Sequence, residues 1–311
     1  MRIGAIDIGT NTVLLLIADI EADGRIRTVE NRQLFARLGE GVDQHRRIRP
    51  ESLQRASDAV SQYLDLCRSR SVDRVIACGT SAIRDAENRD EVVTHVKDRF
   101  NLPLEVLTGR QEAELTYLGA ISSFEGFLKG GPFSVLDIGG GSTELTIGAG
   151  PRVNFDTSLD VGCVRLTERY LAQSPPAPEA LAAAERDVRD HLAREFPAAA
   201  QGRFIGVAGT LTTLAALDLR LDSYNADRVT GHVMARETID DLFRELSTKS
   251  TAELSRYPQI VKGREDILVA GIVILREVMH RLSTDRITAS DRGLRYGMVL
   301  REGLHKGGRA G

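Results

Sequence analysis

Three short turns rich in glycine and small polar residues carry most of the chemistry that this sequence offers. Asp137-Ile138-Gly139-Gly140-Gly141-Ser142-Thr143-Glu144 follows an apolar run that begins at Phe133. Three consecutive glycines leave only backbone at the turn, so successive N–H groups can close on an anion. The pattern predicts a phosphate cradle made of Gly139, Gly140, Gly141 and Ser142. Asp137 and Glu144 flank it, and two carboxylates beside phosphate oxygens suit a hard, octahedral magnesium ion, or manganese in its place. A plain hairpin needs only two turn residues and has no use for acids on both sides.

Asp7-Ile8-Gly9-Thr10-Asn11-Thr12 repeats the device with hydroxyl and amide donors in place of glycines. Asn11 and Thr12 are therefore expected to contact phosphate, with Asp7 as a further metal-associated acid. Val207-Ala208-Gly209-Thr210 is a third small-residue turn after a strand, in which Gly209 and Thr210 either meet phosphate or simply start a helix with Thr210 as its N-cap. Glu112 and Glu114, on spacing alone, read as exposed helix carboxylates. His45-Arg46-Arg47-Ile48-Arg49 is basic enough to attract a polyanion but reads as a solvated loop ahead of a helix. The six histidines show neither HxxxH nor HxH spacing, which argues against zinc, and no Gly-x-Ser-x-Gly elbow occurs.

The elements that must hold these turns alternate. Residues 2–8 and 12–20 read as adjacent buried strands, and a turn at Ala22-Asp23-Gly24 leads to a third. Helical spacing from Pro50 to Arg70 precedes a strand at Arg74–Cys78, a helix at Asn88–Phe100, a strand at Leu104–Leu107 and a helix from Arg110 to about Phe127. At Phe133 the order begins again, because Ser134-Val135-Leu136-Asp137-Ile138-Gly139 mirrors Gly4-Ala5-Ile6-Asp7-Ile8-Gly9. Strands near 143–149 and 152–159, a helix at Cys163–Leu171, a Pro/Ala joint at Ser174–Pro178 and a long helix to about Glu195 follow. A strand from Arg203 to Ala208, helices at Glu237–Leu246 and Glu265–Leu282, a strand at Arg286–Ala289 and a last helix at Gly293–Leu304 complete the pattern. Two similar α/β halves imply a cleft between them.

With 311 residues the chain is long enough for two domains. A net charge of −3 argues against broad nucleic-acid binding. Cys67, Cys78 and Cys163 lack any CxxC spacing, as suits a reducing compartment. Met1-Arg2-Ile3 opens directly into a strand and no apolar run approaches a bilayer span, so neither a leader nor a membrane helix is expected, and the cytoplasm is the expected location.

The order DIGTNT, TSAIRDA, TGRQEAELTY, DIGGGSTE, AGT and SDRGLRYG resembles the exopolyphosphatase and guanosine pentaphosphate phosphohydrolase family over essentially the whole chain. The resemblance implies two ribonuclease H-like domains of the actin-like ATPase, sugar kinase and heat-shock superfamily. They would span residues 1–119 with 298–311, and 120–297. It implies hydrolysis of terminal phosphoanhydride bonds of inorganic polyphosphate, with short chains expected from the resemblance to the shorter members. Guanosine penta- and tetraphosphate are the alternative ligands, and a homodimer is also implied. By the same resemblance Glu112 is the catalytic base, although Gln111 precedes it where the family has a second acid. Arg84 is then the phosphate-orienting arginine, and Arg165 and Arg295 are weaker candidates for guiding the anion.

Overall fold

The apolar runs at β1 (Arg2–Ile8) and β2 (Thr12–Ile20) pair antiparallel, with Ile8 opposite Val13. The computed structural model describes residues 1–21, 25–124, 126–127 and 130–307; the turn expected at Ala22-Asp23-Gly24 lies outside them. β3 (Ile26–Phe35) pairs antiparallel with β2. After α1 (Val42–His45) and α2 (Pro50–Ser69), β4 (Arg74–Gly79) joins β1 in parallel. α3 (Ser81–Asp85), α4 (Arg89–Phe100), β5 (Leu104–Val106) and α5 (Gly109–Ile121) follow, giving a sheet of order β3-β2-β1-β4-β5.

The second pass runs through β6 (Pro132–Ile138), β7 (Thr143–Ala149), β8 (Arg152–Leu159), α6 (Cys163–Tyr170), α7 (Pro178–Glu195), β9 (Arg203–Val207) and α8 (Ala208–Asp218). It continues with α9 (Ala226–Val229), β10 (Val233–Ala235), α10 (Arg236–Leu246), α11 (Thr251–Leu254), α12 (Leu268–Arg281) and β11 (Arg286–Ala289). Its sheet has the order β10-β11-β9-β6-β7-β8, so β8-β7-β6-β9-β11 repeats the first sheet strand for strand and β10 is an added edge. This is the expected pair of ribonuclease H-like α/β domains. α13 (Leu294–Gly307) then returns to the first.

The chain divides into one unit of residues 1–119 and 293–311 and another of residues 120–292. The return at Gly293 comes ahead of the expected 298, because it falls in the turn before α13 rather than inside that helix. Two other boundaries also differ from expectation. α5 ends at Ile121, short of Phe127, and α12 starts at Leu268 instead of Glu265 because Glu265 is used in the preceding loop, where its Oε2 accepts from the N–H groups of Gly263 and Arg264.

The period of two along β1 sorts its side chains between two cores. Ile6 and Ile8 pack with Ala56, Val60 and Tyr63 of α2 and Val92 and Val96 of α4. Ile3 and Ala5 pack on the other face with Leu115 of α5 and Leu294, Met298 and Val299 of α13. Asp7 continues that second series, which sets its carboxylate on the face that α5 covers. Each fully buried Leu or Ile contributes about 1.5–3 kcal/mol of transfer free energy, so both faces are strongly specified. The second unit packs around one larger core drawn from β6, β7, α6, α7, α8 and α12.

α5 and α13 approach closely because glycines face each other across the contact. A Cβ at Gly119 would lie 2.0 Å from the Gly293 carbonyl oxygen, and one at Gly297 would lie 1.8 Å from that of Leu115. Backbone is the obstacle in both cases, so a methyl group must push the helices apart. Gly297→Ala is expected to cost about 1–3 kcal/mol, seen as a lower Tm in thermal unfolding. An unchanged Tm would contradict this contact.

Candidate active site

Each unit presents its own set of groups, and each is described by itself. In the second unit the turn Gly139–Ser142 joins β6 to β7 and closes with Gly139 N–H donating to Ser142 O at 2.9 Å. Its carbonyls are tied back onto the start of α6. Cys163 N–H donates to Gly139 O at 3.0 Å, Val164 and Arg165 N–H donate to Gly140 O at 2.8 and 3.2 Å, and Arg165 Nε donates to Gly141 O at 3.0 Å. The N–H groups of Gly140 and Gly141 have no acceptor among the described residues. With the acceptors occupied and the donors left over, the turn has the chemistry to receive an anion. Arg165, a weaker candidate for guiding the anion, is buried and donates through Nε to the turn itself. Gly162 permits this arrangement, since a Cβ there would lie 2.4 Å from Gly140 O.

Asp137 and Glu144 are directly opposite in the β6–β7 register, so their side chains share one face of the sheet. Glu144 is buried, and its Oε1 accepts from the Ser158 hydroxyl at 2.6 Å, which fixes the carboxylate's direction. This donor set fits magnesium: two hard carboxylates beside phosphate-binding amides leave the other octahedral positions to water and phosphate oxygens. Among the described residues no three His, Cys, Asp or Glu side chains gather as a closed zinc site would require.

The first unit repeats the turn with different chemistry. Gly9 N–H donates to Thr12 O at 2.9 Å, and the carbonyls are again occupied: Ala36 and Arg37 N–H donate to Asn11 O, and Gly39 N–H donates to Thr10 O. Asn11 is buried, and its Nδ2 finds no acceptor among the described residues, as a phosphate contact requires of a donor. Thr12 opens β2 half-exposed at the same turn. Leu14 stands opposite Asp7, where the second unit has Glu144 opposite Asp137, so this turn carries one acid instead of a facing pair. Thr80 and Ser81, which follow β4 as Ala208 and Gly209 follow β9, were passed over in the sequence. Ser81 Oγ is 2.8 Å from Thr10 Oγ1, tying α3 to the turn.

Glu112 and Arg84 meet in this unit. Arg84 Nη1 donates to Glu112 Oε2 at 2.8 Å and to Leu107 O at 3.2 Å. Glu112 is buried, whereas Glu114 is half-exposed and paired with Arg110, a difference that spacing on one helix turn cannot reveal. Burial pushes the Glu112 carboxyl above its ordinary range, Arg84 opposes that by charge and hydrogen bond, and Asp85 adds to the rise. Gln111 has a different role. Thr108 and Gln111 bond reciprocally at 2.9 and 3.2 Å as a capping box, so Gln111, which precedes Glu112, helps start α5.

The third turn differs from expectation. α8 begins at Ala208, so Thr210 lies inside the helix instead of capping it, and its buried side chain packs against Gly271 of α12. Gly209 remains at the surface of the turn, and the Arg264 guanidinium lies on it: a Cβ at Gly209 would be 1.4 Å from Nη1. Arg264 was missed because it is more than 50 residues away in sequence, in a loop with no periodic signal. Arg295 is structural, donating to Leu15 O and Asn31 Oδ1.

The Arg84–Glu112 pair makes a signed prediction. Arg84→Gln removes the charge that favours the ionised carboxylate, so Glu112 should lose its proton at higher pH, with Arg84→Lys in between. A carboxyl-selective NMR titration reads this, and an unmoved or lowered midpoint would contradict the pairing.

Known proteins resemble this chain in sequence and fold. The sequence pattern of the Ppx/GppA phosphatase family matches residues 16–306. Exopolyphosphatase 2 of Mycobacterium tuberculosis is 34% identical over 314 residues, which cover 96% of this chain and 98% of that protein. The crystal structure of the Aquifex aeolicus member of the Ppx/GppA family superposes with a TM-score of 0.83 at 32% identity, covering 98% of each chain. That of an exopolyphosphatase from Cytophaga hutchinsonii gives 0.86 at 27% identity, covering 97% of this chain and 98% of the other. The chain belongs to the Ppx/GppA phosphatase family.

Proposed function

We propose that the protein is a cytoplasmic exopolyphosphatase, which removes orthophosphate from the ends of inorganic polyphosphate chains by attack of a water that Glu112 deprotonates. The observation that carries this reading is the state of Glu112: a buried carboxylate, raised in proton affinity by burial yet kept ionisable by one arginine, is what a general base needs near neutral pH. The relatives named exopolyphosphatase supply the substrate class. The three free, buried cysteines fit a reducing compartment, and no described helix is long and apolar enough to cross a membrane.

The reaction divides among named groups. In the second unit the Gly140 and Gly141 amides bind phosphate oxygens, and a magnesium ion held by Asp137 and Glu144 would neutralise phosphate charge. In the first unit Asn11 Nδ2 is a further phosphate donor and Asp7 a further metal-associated acid. Glu112 takes a proton from water as the water oxygen attacks the terminal phosphorus in line. The P–O bond to the rest of the chain breaks, and the shortened chain leaves with the bridging oxygen and its electron pair. Arg84 favours the ionised form of Glu112 through their hydrogen bond, and in this reading it also stabilises the developing phosphate charge.

The test is phosphate release with magnesium from tripolyphosphate, long-chain polyphosphate and guanosine pentaphosphate in parallel. Release from polyphosphate is expected, with kcat reduced roughly 100- to 10,000-fold in Glu112→Ala while substrate binding persists. Release from the nucleotide alone would replace the substrate by guanosine pentaphosphate. Binding of guanosine tetraphosphate with no release from any substrate would make the protein a sensor.

A further inference from the structure

The loop from Arg37 to Arg49 carries four arginines against two acids in a chain whose net charge is −3. The sequence alone reads His45–Arg49 as a solvated loop, and its charged side chains are exposed. The loop's backbone is also pinned at both ends to elements of the candidate site. At one end Arg37 and Gly39 donate their N–H groups to Asn11 O and Thr10 O at 2.9 and 2.8 Å, so the loop grows directly out of the first phosphate turn. At the other, Asn88 brackets Ile48, its Oδ1 accepting from Ile48 N–H at 2.9 Å and its Nδ2 donating to Ile48 O at 3.0 Å; Glu87 N–H donates to Arg46 O at 2.7 Å. Glu87 and Asn88 directly follow the segment that carries Arg84.

Ile48 is buried while His45, Arg46, Arg47 and Arg49 are exposed. The bracketed backbone thus holds a fixed arginine cluster in solvent. Arg47 has only a loose, exposed pairing with Glu91 at 3.4 Å, Arg49 one with Glu40 at 3.8 Å, and Arg46 has no acidic partner among the described residues. Pairs this exposed contribute little and give way readily to a polyanion.

Resting on the polyphosphate reading above, we propose that Arg46 and Arg47 form a distal subsite that binds phosphates of a chain beyond those held at the turns, and so set chain-length preference. Arginine suits this role because its planar fork matches successive phosphate oxygens. On this proposal the subsite acts on chains that extend past the first turn, and tripolyphosphate is expected to leave it empty.

Binding is measured in the full-length Glu112→Ala protein, where turnover does not consume the ligand, using tripolyphosphate, polyphosphate of tens of units and a single-stranded RNA oligomer across a salt series. In the added Arg46→Gln/Arg47→Gln background, long-chain affinity should fall about tenfold and its salt slope by about one to two, with tripolyphosphate affinity within about twofold. Arg46→Lys/Arg47→Lys should restore most of the long-chain affinity. Equal weakening for both polyphosphates, no change for either, or RNA binding as tight as long-chain polyphosphate would overturn the proposal. The two readings fail separately: an active enzyme whose long-chain affinity survives the glutamines loses only the subsite, whereas loop-dependent binding with no phosphate release loses only the enzymatic reading.

Discussion

A turn can offer its amides to phosphate only if its carbonyls are satisfied elsewhere, and this constraint shapes both units. An unpaired carbonyl beside a phosphate would repel it, and a buried one would be costly in any state. In the second unit the first residues of α6 take the carbonyls of Gly139 and Gly140, and Arg165 takes that of Gly141. In the first unit the segment Ala36–Gly39 does the same for Thr10 and Asn11. In each case the acceptor-satisfying segment comes just after the third strand of its sheet. The repeated strand order therefore repeats a working part along with a fold.

The two turns diverge in what they add to that scaffold. Two acids in register at Asp137 and Glu144 make the second turn suited to a cation and phosphate together. In the first, Leu14 replaces the second acid, and a buried carboxylate, Glu112, stands on α5. The capping box of Thr108 and Gln111 fixes where α5 begins, which puts Glu112 in the first helical turn, where the backbone dipole favours its negative charge. Arg84, by charge and hydrogen bond, counteracts the desolvation of this buried carboxylate. The same burial acts on Cys78, whose thiol is pushed well above its ordinary range by burial first and then by Asp7 and Glu112.

Much of this could be read from the residues. Short, almost continuously apolar runs located β1 and β2, the repeat of the opening segment located β6 and β7, and the glycine turns followed because only backbone donors can sit there. The less legible parts depend on contacts between distant positions. Glu112 and Glu114 are indistinguishable by spacing, yet one is buried on Arg84 and the other faces Arg110. Arg264 reaches Gly209 from a loop without periodicity. α8 starts earlier than its small residues suggest because Ala208 accepts a positive φ of 67 at the strand end, which propensity does not anticipate. The tie that fixes the basic loop's backbone was not legible because Asn88 lies 40 residues from Ile48.

The central claim is that the amides of Gly140 and Gly141 are the anion donors, held outward by α6. It is tested most directly by NMR of nitrogen-labelled glycine in the Glu112→Ala protein, titrated with tripolyphosphate and magnesium. The account predicts that the Gly140 and Gly141 amide resonances move downfield together with saturation, and that Gly162→Ala, which displaces the turn, weakens or abolishes that response. Saturable binding that leaves both resonances in place would contradict it.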